Sequence, residues 1–264
     1  MSRDLKGQKD AEVGRPKEET RSDPFTCLHE CDENFFRYSY LPEVPVVEFS
    51  GVYERLDVKA VFMDRDGIIN ELVYYPEHGV VDSPFTIEQF RLTSSAVQAI
   101  NRFHELGYKV IVISNQPGIA KGHFDEATFD LIRLRMQDLL REGNVQLDGE
   151  YYCFHHPDAV REEYRKVCDC RKPGAGLILR AARDHNIILA KSFFIGDGLV
   201  DVKAGREAGC KTVLVASTNG FLLRLLKEED VEPNYLVKTL GEAISTVENL
   251  TDPHDRTNTQ IQGK

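Results

Sequence analysis

Three short apolar runs in this chain each stop abruptly at small polar or acidic residues, and that pattern leaves few folds open. Lys59-Ala60-Val61-Phe62-Met63 runs into Asp64-Arg65-Asp66-Gly67, Lys109-Val110-Ile111-Val112-Ile113 into Ser114-Asn115-Gln116, and Ser192-Phe193-Phe194-Ile195 into Gly196-Asp197. A continuous apolar run of this length, rich in β-branched and aromatic residues, reads as a strand buried on both faces. The stretches between the runs carry helical signals. Ala96, Val97, Ile100 and Phe103 recur at helical spacing over Ser94 to Leu106, with Gly107 as the left-handed stop. Asp125 caps a helix reaching about Arg141 that carries Phe129, Ile132, Met136 and Leu139 on one face.

Further helices are expected at Ala175 to His185, across Asp201 to Ala208 up to Gly209, at Leu222 to Glu228 and at Leu240 to Glu248. Strands are expected at Glu150 to Phe154, Lys211 to Val215 and Tyr235 to Val237, and a loop at Pro76 to Pro84. Strands alternating with helices at this spacing predict an α/β fold, a doubly wound, mostly parallel, Rossmann-like sheet. The domain is expected over residues 54–250. Residues 1–24 are charged with almost nothing apolar to bury and read as a disordered tail, 25–53 as an irregular arm, and 251–264 as a flexible tail.

In such a sheet every parallel strand presents its carboxyl end to the same edge, so Asp64, Asp66, Ser114, Asn115, Asp197 and Asp201 should share one crevice. Converging aspartates repel one another unless a cation sits among them, and oxygen ligands suit a hard ion such as Mg²⁺. Arg171-Lys172 could add positive charge to the same edge. Carboxylate, magnesium, hydroxyl and lysine together describe phosphoryl transfer through an aspartyl-phosphate.

A second metal is expected from the cysteines. Cys153, His155, Cys168 and Cys170 give Cys-x-His, twelve intervening residues, then Cys-x-Cys. Three thiolates and an imidazole make a closed tetrahedral zinc site, which would be structural because it leaves no position for water. Cys27 and Cys31, around His29 and Glu30, lack a fourth ligand nearby and read as ordinary thiols.

The net charge of -10 disfavours nucleic acid and anionic membrane as partners. With no Trp and no basic track, a nucleic-acid end-processing phosphatase is also disfavoured. No apolar stretch approaches the ~20 residues that span a bilayer, and the first residues have no signal-peptide centre, so the cytoplasm is the expected compartment. A monomer acting on a small phosphorylated metabolite is the expected form.

Asp64-Arg65-Asp66-Gly67, Ser114-Asn115-Gln116, Arg171-Lys172-Pro173 and Gly196-Asp197-Gly198-Leu199-Val200-Asp201 resemble the four motifs of the haloacid-dehalogenase-like (HAD) phosphohydrolases. Asp64 to Asn70, Gly118-Ile119-Ala120-Lys121-Gly122 and Cys168 to Pro173 are most similar to the histidinol-phosphatase and D-glycero-D-manno-heptose-1,7-bisphosphate 7-phosphatase branch. The likeness covers about Val58 to Ser217.

The resemblance implies that Asp64 is the nucleophile and Asp66 the acid and base. It implies that Asp64, the Asp66 carbonyl and Asp197 hold Mg²⁺, and that Ser114 and Lys172 bind the phosphoryl oxygens. Asn115 and Arg171 would face the substrate beyond the transferred group, and Asp201 would either be an outer magnesium ligand or orient Lys172 or the waters. The branch carries zinc in the Cys153 to Cys170 loop and has no large cap domain. The implied reaction is hydrolysis of a heptose bisphosphate at the 7-phosphate. Histidinol phosphate is the alternative substrate, and a catalytically silent, zinc-stapled interaction module the alternative of another class. Many members have lysine where this chain has Gly198, so one positive charge is missing near the magnesium edge.

Overall fold

A computed structural model describes residues 57–216 and 220–251, together with the backbone of residues 35–38. The Cys27 to Cys31 group, most of the amino-terminal tail and arm, and residues 252–264 lie outside the described residues.

A seven-stranded sheet forms the centre. Its strands are β1 (Phe35–Tyr38), β2 (Lys59–Met63), β5 (Tyr108–Asn115), β6 (Gly149–Cys153), β7 (Phe193–Gly196), β8 (Lys211–Val215) and β9 (Tyr235–Val237), in the order β1-β6-β5-β2-β7-β8-β9. All neighbours are parallel except β1, which runs antiparallel along β6. Four residues of the arm expected to be irregular are therefore paired as an edge strand, Phe35 opposite Cys153 and Tyr38 opposite Glu150.

Alternation along β2 divides the core in two. Val61 and Met63 face one side with Val110, Val112 and Ile195, while Ala60 and Phe62 face the other with Ile111, Ile113 and Phe194. The first face is covered by α1 (Ala96–Glu105), α2 (Glu126–Glu142) and α6 (Leu240–Leu250), through Ile100, Phe103, Ile132, Met136 and Val247. The second is covered by α3 (Gly176–His185) and α4 (Leu199–Glu207), through Leu177, Ile178, Ala181 and Ala204. Each fully buried large side chain contributes about 1.5–3 kcal/mol, so this two-sided burial dominates the stabilisation of the sheet. Helix α5 (Gly220–Glu228) packs Leu222 and Leu226 on Leu214 and Val202 in a smaller third cluster. Among the described residues no helix is long and apolar enough to cross a membrane.

The expected helix stops hold. Asp125 accepts a hydrogen bond from the Thr128 amide at 2.8 Å, and Gly107 takes a φ of 79°. Strand β5 ends one residue before Gln116 because the Gln116 amide turns to the Cys153 carbonyl at 2.7 Å. The Pro76 to Pro84 stretch is not a plain loop. Residues β3 (Val73–Tyr75) and β4 (Val80–Asp82) form a two-stranded antiparallel hairpin of their own. Tyr75 anchors it, stacking on Phe85 at 4.3 Å between ring centres and donating its hydroxyl to the Ser83 carbonyl at 2.9 Å.

The chain builds β5 and β6 on one side of β2, then returns to build β7, β8 and β9 on the other. That reversal opens a crevice at the carboxyl end of β2, between the loops that leave β5 and β7.

Candidate active site

Four separate segments meet at this crevice. Asp64 follows β2, and its amide is tied to the Ile195 carbonyl of β7 at 2.9 Å. Lys172, 2 % exposed, reaches up from the segment after Cys170. Its ammonium lies 2.8 Å from Asp64 Oδ1, 2.7 Å from Asp201 Oδ1 and 3.0 Å from the Ile113 carbonyl. All three of its protons are thereby directed. Ser114, also buried, stands near the end of β5, next in sequence to that carbonyl. Asp197 and Asp201 arrive from the turn into α4, where Asp201 Oδ2 accepts the Gly198 amide at 2.9 Å. Both Asp201 oxygens are thus engaged by groups of the chain, one of them orienting Lys172.

Carboxylates crowd this edge. Asp64, Asp197 and Asp201 each offer an oxygen within 4.8 Å of the others. Burial pushes the Asp64 carboxyl up to about 6 against the pull of the Lys172 ammonium, with Asp201 and Asp66 adding to the rise. Burial first, then the charges of Asp64 and Asp201, push Asp197 up to about 8. One lysine does not neutralise the set, and an oxygen-binding cation does. Lys172 moves upward too, because Asp201 and Asp64 outweigh its burial. The donor set, three converging carboxylates, fits Mg²⁺.

Asp66, the second aspartate, is held by three groups that carry no expected role. Arg65 Nη2 lies 3.0 Å from its Oδ1 and 3.2 Å from its Oδ2, and Asn70 Nδ2 lies 2.9 Å from Oδ1. Gln116 Nε2 donates to Oδ2 at 2.5 Å and also lies 3.1 Å from Ser114 Oγ. Gln116 was legible in principle: two residues beyond Ser114, it falls on the same face of the strand line.

The Asn115 side chain is engaged by the chain itself. Its amide is spent on the Lys172 main chain, donating to the carbonyl at 3.0 Å and accepting from the N–H at 2.9 Å. Arg171, half-buried, donates from Nη1 to the His155 carbonyl at 3.1 Å. His156 is pulled down, by burial first and then by the charges of Arg171 and Lys121. Arg171 and Lys121 form a basic rim between the Cys-rich loop and the loop after β5, and their charge disfavours a proton on His156.

The Cys-rich loop closes on four ligand atoms. Cys153 Sγ, His155 Nδ1, Cys168 Sγ and Cys170 Sγ are mutually 3.0 to 3.7 Å apart along all six edges. Zinc bonds of about 2.3 Å to sulfur and 2.0–2.1 Å to nitrogen imply tetrahedral edges near these values. The donor set and its spacing fit a zinc ion. Away from this point the loop is tied by Val160 and Arg161 amides to the Ala120 carbonyl, and by the Tyr164 hydroxyl to Glu126.

The family model for HAD-hydrolase-like proteins matches residues 169–243. D-glycero-beta-D-manno-heptose-1,7-bisphosphate 7-phosphatase of Photorhabdus laumondii is 41% identical over 161 residues, which are 61% of this chain and 81% of that protein. The enzyme of the same name from Escherichia coli strain K12 is 40% identical over 162 residues, 61% of this chain and 80% of that one. Among solved structures, a D,D-heptose 1,7-bisphosphate phosphatase from B. bronchiseptica, complexed with magnesium and phosphate, superposes with a TM-score of 0.60. It is 28% identical, covering 73% of this chain and 99% of that one. A HAD-like phosphatase from Mesorhizobium loti shares the fold, with a TM-score of 0.63 at 24% identity over 88% of this chain and 97% of that one.

Proposed function

The chain belongs to the haloacid-dehalogenase-like hydrolases, and from that premise we propose that it is a Mg²⁺-dependent phosphomonoesterase removing the 7-phosphate of D-glycero-D-manno-heptose 1,7-bisphosphate through an aspartyl-phosphate. The observation that carries this reading is the Lys172 ammonium set between Asp64 and Asp201 at the edge where Asp197 also arrives.

In the first step a carboxylate oxygen of Asp64 attacks phosphorus, the bond from phosphorus to the sugar oxygen breaks, and Asp66 gives that oxygen a proton. In the second, Asp66 takes a proton from water as the water oxygen attacks phosphorus, and the acyl-phosphate bond to Asp64 breaks to release phosphate. Ser114 and Lys172 bind the phosphoryl oxygens, whose charge they stabilise. Asp64, the Asp66 carbonyl and Asp197 would hold the magnesium, which offsets the repulsion between nucleophile and phosphate. Asp201 holds Lys172, and Asn115 holds its main chain. Cys153, His155, Cys168 and Cys170 would hold a structural zinc, which would set where Arg171 and Lys172 leave the loop.

The positive charges of Arg171 and Lys121 favour a second anionic group on the substrate over the amine of histidinol phosphate. A silent interaction module would not need the buried Lys172 and its two carboxylates. The test is turnover of a panel of sugar phosphates, sugar bisphosphates and histidinol phosphate with Mg²⁺. The heptose bisphosphate should give the highest kcat/KM, and Asp64→Asn should lower it by about a thousandfold or more. Equal rates for wild type and Asp64→Asn would remove the enzyme reading. A preference for histidinol phosphate would move the substrate to the alternative.

A further inference from the structure

Arg65 stands between the two catalytic carboxylates in sequence but cannot reach a substrate, its side chain being 1% exposed. Its guanidinium is spent on Asp66, with Nη2 and Nε at 3.0 and 3.3 Å from Oδ1 and Nη2 at 3.2 Å from Oδ2. The guanidinium carbon lies 5.8 Å from the centre of the buried Phe129 ring. Behind it is a second buried polar layer. Tyr152 donates its hydroxyl to Glu150 Oε2 at 2.8 Å, and Arg133 Nη1 lies 3.6 Å from Glu150 Oε1. Burial pushes the Glu150 carboxyl up, with the charge of Arg133 first and Arg65 among those pulling it back.

A buried cation is costly unless paired, and a single carboxylate is this one's direct hydrogen-bonded partner. What the pairing supplies is orientation. The last torsion of an aspartate is broad and roughly two-fold, so a strand-end carboxylate left alone would sample many planes. A general acid has to keep one oxygen within hydrogen-bond reach of the leaving atom, and a displacement of about 1 Å can cost 10²-fold in rate. A planar guanidinium contacting both oxygens, with Asn70 on one and Gln116 on the other, removes that freedom.

We propose that Arg65 is a positioning residue: from its buried place it fixes the plane of the Asp66 carboxylate so that Asp66 meets the leaving sugar oxygen, and it never touches the substrate itself. This rests on the phosphomonoesterase reading above.

The test compares kcat/KM for the heptose bisphosphate, whose alkoxide must be protonated as it leaves, with that for p-nitrophenyl phosphate, whose phenolate leaves unaided. Arg65→Met should lower the first by about 10–100-fold and the second by less than about threefold. Arg65→Lys keeps the charge but loses the fork, and should show the same split if the methionine variant does not fold. On an Asp66→Asn background Arg65→Met should cost nothing more on either ester, because the group it positions is already silent. Equal losses on both esters in the folded Arg65 variants, or a further loss on the Asp66→Asn background, would overturn the inference. A wild type inactive on both esters would instead remove the phosphomonoesterase reading on which it rests.

Discussion

Gly67 shows how tightly single residues are set at this edge. Its φ is +81°, and a Cβ there would fall 2.0 Å from Asp197 Oδ2. A methyl group must therefore push Asp197 away from Asp64 or bend the turn after β2, on top of the roughly 1–2 kcal/mol that a left-handed conformation costs a residue with a side chain. Gly67→Ala should raise the magnesium concentration needed for half-maximal rate and lower kcat by about 10²-fold. A titration of activity against Mg²⁺ checks it, with a wild-type midpoint counting against the role given to Asp197. Gly198, by contrast, has an ordinary extended backbone, φ -122° and ψ 159°, so its place in the site does not depend on conformational freedom. Asn115 carries another lesson at this scale. A polar residue beside Ser114 looked like a substrate contact, and its partners turned out to be the main chain of Lys172, 57 residues away.

At the scale of elements, the Cys-rich loop joins β6 to α3 and has little core of its own. Tyr164 and Ala159 are buried on the main cluster, but Val160 and Val167 are 72% and 83% exposed. A metal that links both ends of this segment does what apolar burial cannot. Purified protein should carry about one equivalent of zinc, because a closed Cys₃His site binds tightly. Cys168→Ser, at the most exposed of the four ligands, should reduce that content, lower Tm and cut activity together, since Lys172 follows Cys170 by two residues. Zinc content, thermal unfolding and kcat measured on one preparation check it. Unchanged Tm and kcat with the metal gone would reject a structural zinc. The four ligands were legible because their spacing is local. The hairpin of β3 and β4 was not, because three-residue strands carry too little periodicity and its anchor is a tyrosine stacked on Phe85, ten residues on.

For the whole molecule, the crevice ties the two halves of the sheet together, because Asp64 ends β2 and Asp197 follows β7 on its other side. Without magnesium, Asp64 and Asp197 bind protons more tightly folded than unfolded, being pushed up to about 6 and about 8. The folded state then holds more protons than the unfolded one, so stability falls as pH rises from the ordinary aspartate range, near 4, through those values. Magnesium held by Asp64 and Asp197 in the folded state would remove that penalty. Saturating Mg²⁺ at about a hundredfold excess over Kd should raise Tm by about 5 °C or more, and by more at about pH 8 than at about pH 6. Asp197→Asn should abolish most of the increment. A Tm indifferent to Mg²⁺ at both pH values would show that the carboxylates do not share a cation.

Readable from the chain alone were six strands of the main sheet, most helix limits, the polar groups at the three strand ends and the grouping of three cysteines with His155. Each of these depends on period, turn chemistry or short-range spacing, which a linear chain records directly. What those polar groups hold is set by the fold. Gln116 reaches Asp66 across 50 residues, Asn115 and Lys172 meet across 57, and Arg65 turns inward to its neighbour's carboxylate rather than outward to solvent. Such pairings depend on where the sheet reverses direction and on which side chains remain dry there, and no local pattern encodes either.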